Sequence, residues 1–306
     1  MKKIIQLVTV FLSIVFWSGC DEDSFTPVVE IDIPPHESRL AVSGYLYDTD
    51  TVVQLLVRKS LGILASSTVT DTVDAPNVQL QRNGVSLGTF QKSFSFNKGL
   101  FDLSQTQGFG NNTELYTCKV SAAGLPNVSA TMRMPSRVPI AEMSYVRNGT
   151  TDPDGKKRDL LSITFDDAGE TSDYYSVKAN YQVRDSITKQ IGSQGDIYIT
   201  LQQGVLENND ERFPFLTDAT FNGKRIKLNF VSFGLGYSSS NRILETFVTA
   251  DLTHLSKEDY QYQKSLGFIF DQGNPFSEPV ILKGNISNGY GFFGVRSRSS
   301  ATVKLK

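Results

Sequence analysis

The stretch NVQLQRNGVSLGTF, residues 77–90, contains the strongest local signal for the fold of this chain. Apolar and polar residues alternate on both sides of Asn83-Gly84, and this period of two is typical of a strand with one buried face. Asn-Gly between two such runs favours a two-residue hairpin turn, because both residues tolerate positive φ. The segment therefore predicts two antiparallel strands joined at Asn83 and Gly84.

The same alternation continues on both sides of this hairpin, so an all-β fold is expected. Residues 39–135 contain several short runs rich in β-branched and aromatic residues, which predict an immunoglobulin-like β-sandwich. Within it, the run ELYTCKV resembles strand F of immunoglobulin-type domains, where a tyrosine two residues before a cysteine closes a corner. Tyr116 would be that tyrosine, and Cys118 would be a buried, unpaired thiol.

Pro135 and Pro139, in the segment MPSRVP, predict a seam between two domains. Residues 139–306 then contain longer strand patterns, which predict a larger β-rich sandwich or barrel-like domain. One short helix is expected in it, because Ser256 is a suitable N-cap ahead of the acidic residues Glu258 and Asp259.

The N-terminus predicts export and lipidation. A basic start and a short apolar run predict a signal peptide over residues 1–19, too short for a transmembrane helix. Ser18-Gly19-Cys20 resembles the lipobox of bacterial lipoproteins, in which the cysteine is acylated; the alternative is an ordinary signal peptide that leaves Cys20 free or paired with Cys118. Residues 20–38 then predict an acidic and proline-rich tether.

Three acidic residues, Asp21, Glu22 and Asp23, follow the predicted lipidation site directly. On physical grounds they are a solvated spacer, since anionic headgroups would repel them. They also resemble the acidic signal that directs lipoproteins of the Bacteroidota to the outer face of the outer membrane. That resemblance implies an export signal and a cell-surface location.

The overall charge argues against nucleic-acid binding. Residues 1–19 hold two of the 30 basic residues and none of the 32 acidic residues, so the remaining chain is acidic overall. Binding to a phosphate backbone depends on clustered lysine and arginine. We therefore expect no nucleic-acid partner.

Motifs for catalysis, metal or cofactor binding are not found in the sequence. The chain has two histidines, His36 and His254, and neither lies in a cluster with metal-ligand spacing. Asp152, Asp154 and Asp159 surround an Asp-Gly pair, but their spacing fails the EF-hand pattern and favours a plain turn. The sequence therefore predicts a protein that is not an enzyme, with no catalytic residue, no metal and no cofactor.

Carboxylates keep one enzymatic alternative open. Asp166, Asp167 and Glu170, or Glu207 with residues 210–211, would serve a glycoside hydrolase if two of them flanked a glycosidic bond. Asp166 and Asp167 are adjacent at a predicted strand end, however, so their side chains should point to opposite faces.

Three separated segments resemble one family: VVEIDIPPHESRLAVSGYL near the start, LSKEDYQYQKSL in the middle, and NPFSEPVILKGNISNGYGFFGVRS near the end. Together they are similar to the family catalogued as domain of unknown function 4249, lipoproteins of the Bacteroidota. The resemblance implies an outer-membrane lipoprotein, often encoded beside a TonB-dependent receptor. It carries no catalytic residues over to this chain.

We therefore expect a non-enzymatic, lipid-anchored surface protein that assists a TonB-dependent nutrient transporter by binding its ligand or the transporter itself. A structural or adhesive surface lipoprotein is the alternative. Exposed aromatic side chains would make the contact, and the candidates are Phe213, Phe215, Phe276, Tyr290 and Phe292. For Phe276, Phe292 and the adjacent Phe293, packing into the second core is the competing expectation.

Overall fold

The computed structural model describes residues 35–66, 69–94, 99–106, 108–110, 113–152, 154–202, 215–235, 244–270 and 281–305. Residues from Ser38 onward form one compact unit. The predicted signal peptide, Cys20, the acidic run 21–23 and most of the tether lie outside the described residues.

The described chain is all-β, as the sequence predicted, with one α-helix, α1 (Lys257–Phe270). The strands are β1 (Leu40–Tyr47), β2 (Val52–Lys59), β3 (Asn77–Arg82), β4 (Val85–Thr89), β5 (Gln91–Lys92), β6 (Leu100–Ser104), β7 (Leu115–Ala122), β8 (Leu125–Arg133), β9 (Ile140–Thr151), β10 (Lys157–Asp166), β11 (Tyr174–Asp185), β12 (Ile191–Ile197), β13 (Ile199–Leu201), β14 (Phe215–Thr217), β15 (Arg225–Ser232), β16 (Leu244–Leu255) and β17 (Tyr290–Leu305).

One long sheet links the two halves of the chain. Its strand order is β12-β11-β16-β17-β1-β2-β6-β5, with β14 paired to β11. Two four-stranded sheets, β4-β3-β7-β8 and β13-β15-β10-β9, complete the pairing. Within the described residues none of these sheets closes into a barrel, so the architecture is a layered sandwich.

The first core is formed by side chains of β1, β2, β3, β6, β7, β8 and the start of β17. It confirms three local predictions. Asn83 and Gly84 have φ of 48° and 81° and join β3 to β4 as a tight hairpin. The Tyr116 hydroxyl donates a hydrogen bond to the Phe109 carbonyl oxygen, which closes the predicted corner. Cys118 is a buried free thiol.

Residues 289–294, GYGFFG, form a glycine-aromatic run near the C-terminus. Its phenylalanines do not pack into the second core, although the sequence predicted that they would. Phe292 and Phe293 are fully buried, and they pack with residues of β1, β2, β3 and β7 in the first core. They lie there because the first half of β17 pairs in parallel with β1, Ala41 opposite Tyr290. A central strand covered on both faces buries consecutive residues, so Phe292 is not available as a surface contact.

The second core lies between the other four-stranded sheet and the strands β11 and β16 of the long sheet. The chain passes from one core to the other at the predicted seam, since Met134 packs in the first and Val138 in the second. Strand β17 makes a second link, because residues beyond Arg296 leave β1 and pair with β16. The sequence predicted a domain boundary at residues 135–139 but not a strand shared by the two halves.

Helix α1 begins as the sequence predicted. Ser256 Oγ accepts a hydrogen bond from the Asp259 backbone N–H at 3.1 Å, the geometry of an N-cap. The helix has 14 residues. Among the described residues, a helix with both the length and the apolar composition of a membrane span is not found.

Candidate functional site

We call the layers around the second core the second sandwich. An open cavity of about 660 Å³ lies where α1 meets the end of this second sandwich. Tyr174 of β11 and Tyr260 of α1 line it, and their ring centroids are 4.9 Å apart. Asn222, Gln261 and Lys264 contribute polar side chains to the lining. The volume lies in the range of sites for small organic ligands, and mixed aromatic and polar linings are typical of such sites.

Hydrogen bonds and a buried ion pair fix the helical side of this cavity. Arg296 of β17 donates to both carboxylate oxygens of Asp259, from Nε at 2.6 Å and from Nη2 at 2.8 Å. The guanidinium also lies over the Tyr45 ring, 3.8 Å from its centroid, and donates to the Tyr47 hydroxyl. Bidentate pairing of this kind sets orientation as well as charge, so α1 is held in one position on the long sheet.

Beside the cavity, three aspartates from separate segments come together: Asp167 after β10, Asp173 before β11 and Asp218 after β14. Each offers a carboxylate oxygen within 4.8 Å of those of the other two, and all three residues are buried. Asp218 also lines the cavity. We call these three residues the aspartate cluster.

Hydrogen bonds position the cluster from several directions. Asp167 accepts one from the Tyr175 hydroxyl at 2.6 Å and one from the Gly223 N–H at 2.8 Å. Asp218 Oδ2 accepts from the Asp173 N–H at 2.9 Å. Asp173 Oδ1 accepts from the Thr171 hydroxyl, also at 2.9 Å. The second oxygen, Asp173 Oδ2, is buried and accepts no hydrogen bond from any residue that the structure describes.

His254 contacts the cluster. Its Nε2 lies 3.2 Å from Asp173 Oδ1, and its Nδ1 lies 2.7 Å from the carbonyl oxygen of Ser136. A carbonyl oxygen only accepts, so Nδ1 carries a proton and donates to Ser136. The ring also packs on Tyr175, with centroids 5.0 Å apart. Both ring nitrogens are therefore used in positioning, which leaves neither as a base for a hydroxyl nucleophile.

The pKa values of two aspartates in the cluster shift in opposite directions. Burial raises the pKa of Asp218, and the neighbouring Asp167 and Asp173 carboxylates raise it further. Burial acts in the same direction on Asp173, but hydrogen bonds from His254 and Thr171 outweigh it, so the pKa of Asp173 is lowered. Burial raises the pKa of Tyr175, and the adjacent Asp167 adds to the increase. Like charges concentrated in a buried volume make this cluster suited to attract positive charge.

The candidate contact residues predicted from the sequence fall in different places. Phe215 is buried in β14 and packs with Leu255 and Tyr260, so it does not offer a surface contact. Its burial follows from the pairing of β14 with β11. The local sequence around Phe215 does not reveal this pairing between distant segments. Tyr290 is 49% exposed, but it does not line the cavity. Phe213 and Phe276 lie outside the described residues.

Of the carboxylates considered for hydrolysis, the adjacent pair Asp166 and Asp167 lies among the described residues, and its two side chains are not brought together. Asp166 has an exposed side chain near Arg225, whereas Asp167 is buried, so the expectation of opposite faces is confirmed. Residues 207–211 lie outside the described residues. The turn predicted at Asp152 is also confirmed: its carbonyl oxygen accepts from the Gly155 N–H at 2.9 Å, and its carboxylate pairs with Arg158.

The cluster itself was missed from the sequence. Asp167 was considered only for hydrolysis, and Asp173 was not singled out. Residues 215–223, in the stretch between β13 and β15, supply Asp218 and Asn222 to the site. The available signal was an aspartate next to one end of each of three strand patterns, which is too common to assign a site.

A family described as Domain of unknown function (DUF4249) matches residues 26–302. The chain belongs to the DUF4249 family. The DUF4249 match includes every strand and loop that contributes to the cavity and to the aspartate cluster, so both sites lie inside the family's domain. No curated protein matches the chain.

Proposed function

We propose that this DUF4249 protein is a non-enzymatic, lipid-anchored protein of the outer-membrane surface that binds a small ligand for a TonB-dependent transporter. The single observation that carries the ligand-binding part is the cavity between α1 and the second sandwich. The anchor and the transporter come from the resemblance of the N-terminal segment to a lipobox and from what the family resemblance implies.

The lining of the cavity supports binding of a polar organic molecule such as a sugar or a short peptide. The Tyr174 and Tyr260 rings offer flat apolar surface, while Asn222 and Gln261 offer both donors and acceptors. Lys264 lies 6.0 Å from the centroid of the Tyr260 ring and adds a positive charge to the lining. Such a lining binds by stacking and hydrogen bonding and does not supply a reacting group.

A pure structural or adhesive role is the competing proposal, and a glycoside hydrolase is a weaker one. The hydrolase requires two accessible carboxylates on either side of a bond. Asp167 is held by Tyr175 and Gly223 within the buried cluster, and Asp166 points away from it. These contacts favour a positioning role for Asp167 over acid-base chemistry.

The test is a thermal-shift screen of the lipidated protein against sugars, short peptides and metal chelates, followed by calorimetry on any hit. We expect a hit whose affinity falls at least about tenfold when Lys264→Ala removes a lining charge or Ala219→Trp fills the cavity. Tyr290→Ala is the matched control, because it removes an exposed aromatic group outside the cavity. Unchanged affinity in both cavity variants, with loss in the control, would move the ligand to the glycine-aromatic edge.

The anchor and the partner are tested on the same preparation. We expect mass spectrometry to find an acylated Cys20 as the first residue, and outer membranes to yield a stable complex with a TonB-dependent receptor. Cys20→Ala should leave the protein unacylated and out of the membrane fraction. An unmodified N-terminus at another residue would reject the anchor, and binding only to host glycans or matrix would favour adhesion.

A further inference from the structure

We propose that the aspartate cluster, Asp167, Asp173 and Asp218, is a calcium-binding site that fixes one wall of the ligand cavity. The site is independent of the identity of the ligand and of the transporter. Two observations carry it: the convergence of three buried carboxylates and the unpartnered, buried oxygen of Asp173.

The spacing suits one ion bound by all three residues. Calcium–oxygen distances are about 2.3 to 2.6 Å, so two ligands on opposite sides of the ion are separated by about 5 Å. The three carboxylate oxygens lie within 4.8 Å of one another, inside that limit. No movement of the backbone is therefore needed to bring them to a common centre.

The hydrogen-bond inventory leaves acceptor capacity for a cation. A carboxylate has about four lone-pair sites. Asp173 Oδ2 is buried with no donor among the described residues, although an unsatisfied buried acceptor costs about 1–3 kcal/mol. The donors that the structure does provide, such as Tyr175 and Gly223, hold Asp167 in place without neutralising it. A metal ion would satisfy the free oxygen and balance the charge.

The donor set favours calcium over zinc. Zinc sites are built mainly from cysteine and histidine, whereas the cluster offers only carboxylate oxygen. His254 is committed to Ser136 and Asp173 and acts as an outer partner that orients a ligand carboxylate. Calcium takes six to eight oxygens in flexible geometry, so water from the adjoining open cavity can complete its shell beside Asp218.

The position of the cluster gives the ion a structural role. It lies where the segments that contain Asp167, Asp173 and Asp218 meet, and the last two segments also contribute Ser172, Thr217 and Asn222 to the cavity lining. Without a cation, repulsion between the carboxylates would push these segments apart. With calcium bound, the same side of the cavity would be rigid before its ligand arrives.

The experiment measures metal binding directly. The purified full-length protein is stripped with EDTA, and its melting temperature is recorded with EDTA, with about 5 mM calcium, and with the same concentration of magnesium, for comparison with extracellular calcium sites of about 10⁻⁴ to 10⁻³ M affinity. We expect calcium to raise the melting temperature by about 4 °C or more, and magnesium to raise it less. Terbium should bind at the same place and show luminescence sensitised by Tyr175, which contacts Asp167.

Variants assign the site. Asp173→Asn and Asp218→Asn should each lower calcium affinity, measured by calorimetry, at least about tenfold and abolish the terbium signal. Asp166→Asn is the matched control, since it removes a neighbouring but exposed carboxylate and should leave affinity unchanged. Circular dichroism of each variant in EDTA checks that it is folded.

Three outcomes would overturn the proposal. The first is no calcium response and no terbium signal in the unmodified protein, which does not depend on any variant folding. The second is equal binding by folded Asp218→Asn and unmodified protein. The third is stabilisation by acidification alone without any calcium effect, which would show that the carboxylates share a proton. None of these outcomes bears on the ligand screen, so the two proposals fail separately.

Discussion

At the residue scale, single positions explain why the glycine-aromatic run folds as it does. Gly291 has φ of 100°, a conformation that side chains disfavour, and an added Cβ would collide with the Val42 carbonyl oxygen of β1. Glycine permits both the positive φ and the close backbone approach, and Gly291 shows both. The neighbouring Phe292 then stacks on Tyr262 of α1, with ring centroids 4.4 Å apart.

Cys118 gives a residue-scale prediction. Burial raises the pKa of its thiol to about 12, and the thiolate is the reactive form. In Cys20→Ala, where Cys118 is the sole cysteine, we expect iodoacetamide at about pH 8 to react roughly 1,000-fold more slowly than in the urea-unfolded chain. Mass spectrometry against time measures this rate, and rapid labelling of the native protein would contradict the buried placement.

The same thiol makes stability depend on pH with a defined sign. Its folded pKa lies above its unfolded value, so its contribution to stability is fully present below the unfolded pKa of about 9. That contribution is lost as the pH rises from there towards 12. Urea titrations across this alkaline interval measure the effect. The Cys118→Ala variant should lose less stability there than the unmodified protein.

At the element scale, α1 depends on one buried ion pair more than on its own sequence. The helix has no basic residue in its last turn, and its acidic first turn is used for attachment as well as capping. Asp259 is fully buried against Arg296, whose pKa burial would lower but Asp259 raises. A buried ion pair of this kind stabilises an arrangement chiefly because removing one partner leaves the other charge buried and unpaired.

Asp259→Ala tests this attachment. We expect it to lower the free energy of unfolding by about 3–5 kcal/mol, because the Arg296 charge would remain buried without its partner. Glu142→Ala, which breaks an exposed pair with Arg225, is the control and should cost about 0–1 kcal/mol. Urea denaturation followed by circular dichroism compares the two, and equal small losses would show that Arg296 finds another partner.

At the scale of the whole molecule, β17 joins the two cores. Residues 290–296 pair with β1 over the first core, and residues 297–305 pair with β16 over the second. A strand that belongs to both halves couples their unfolding, since separating either half breaks the same sheet. We therefore expect one cooperative transition where the linear pattern predicted consecutive domains.

A pair of core substitutions tests this coupling. Phe293→Ala in the first core and Phe230→Ala in the second should each cost about 3–5 kcal/mol. Hydrogen exchange should show β7 and β10 opening together in both variants, because each belongs to a different core of the same cooperative unit. Selective early exchange of β7 in Phe293→Ala, with β10 still protected, would show independent halves.

The sequence by itself determined the fold class, the hairpin at Asn83-Gly84, the corner at Tyr116 and the start of α1, because these follow from local periodicity and from the backbone preferences of single residues. It also carried the family resemblance. Only the tertiary structure decided that β17 is shared between the cores, that Phe215 and Phe292 are buried, and that Asp167, Asp173 and Asp218 meet. Contacts between segments distant in sequence depend on strand order and register across the sheets, and alternation within one strand contains no information about which strand lies beside it.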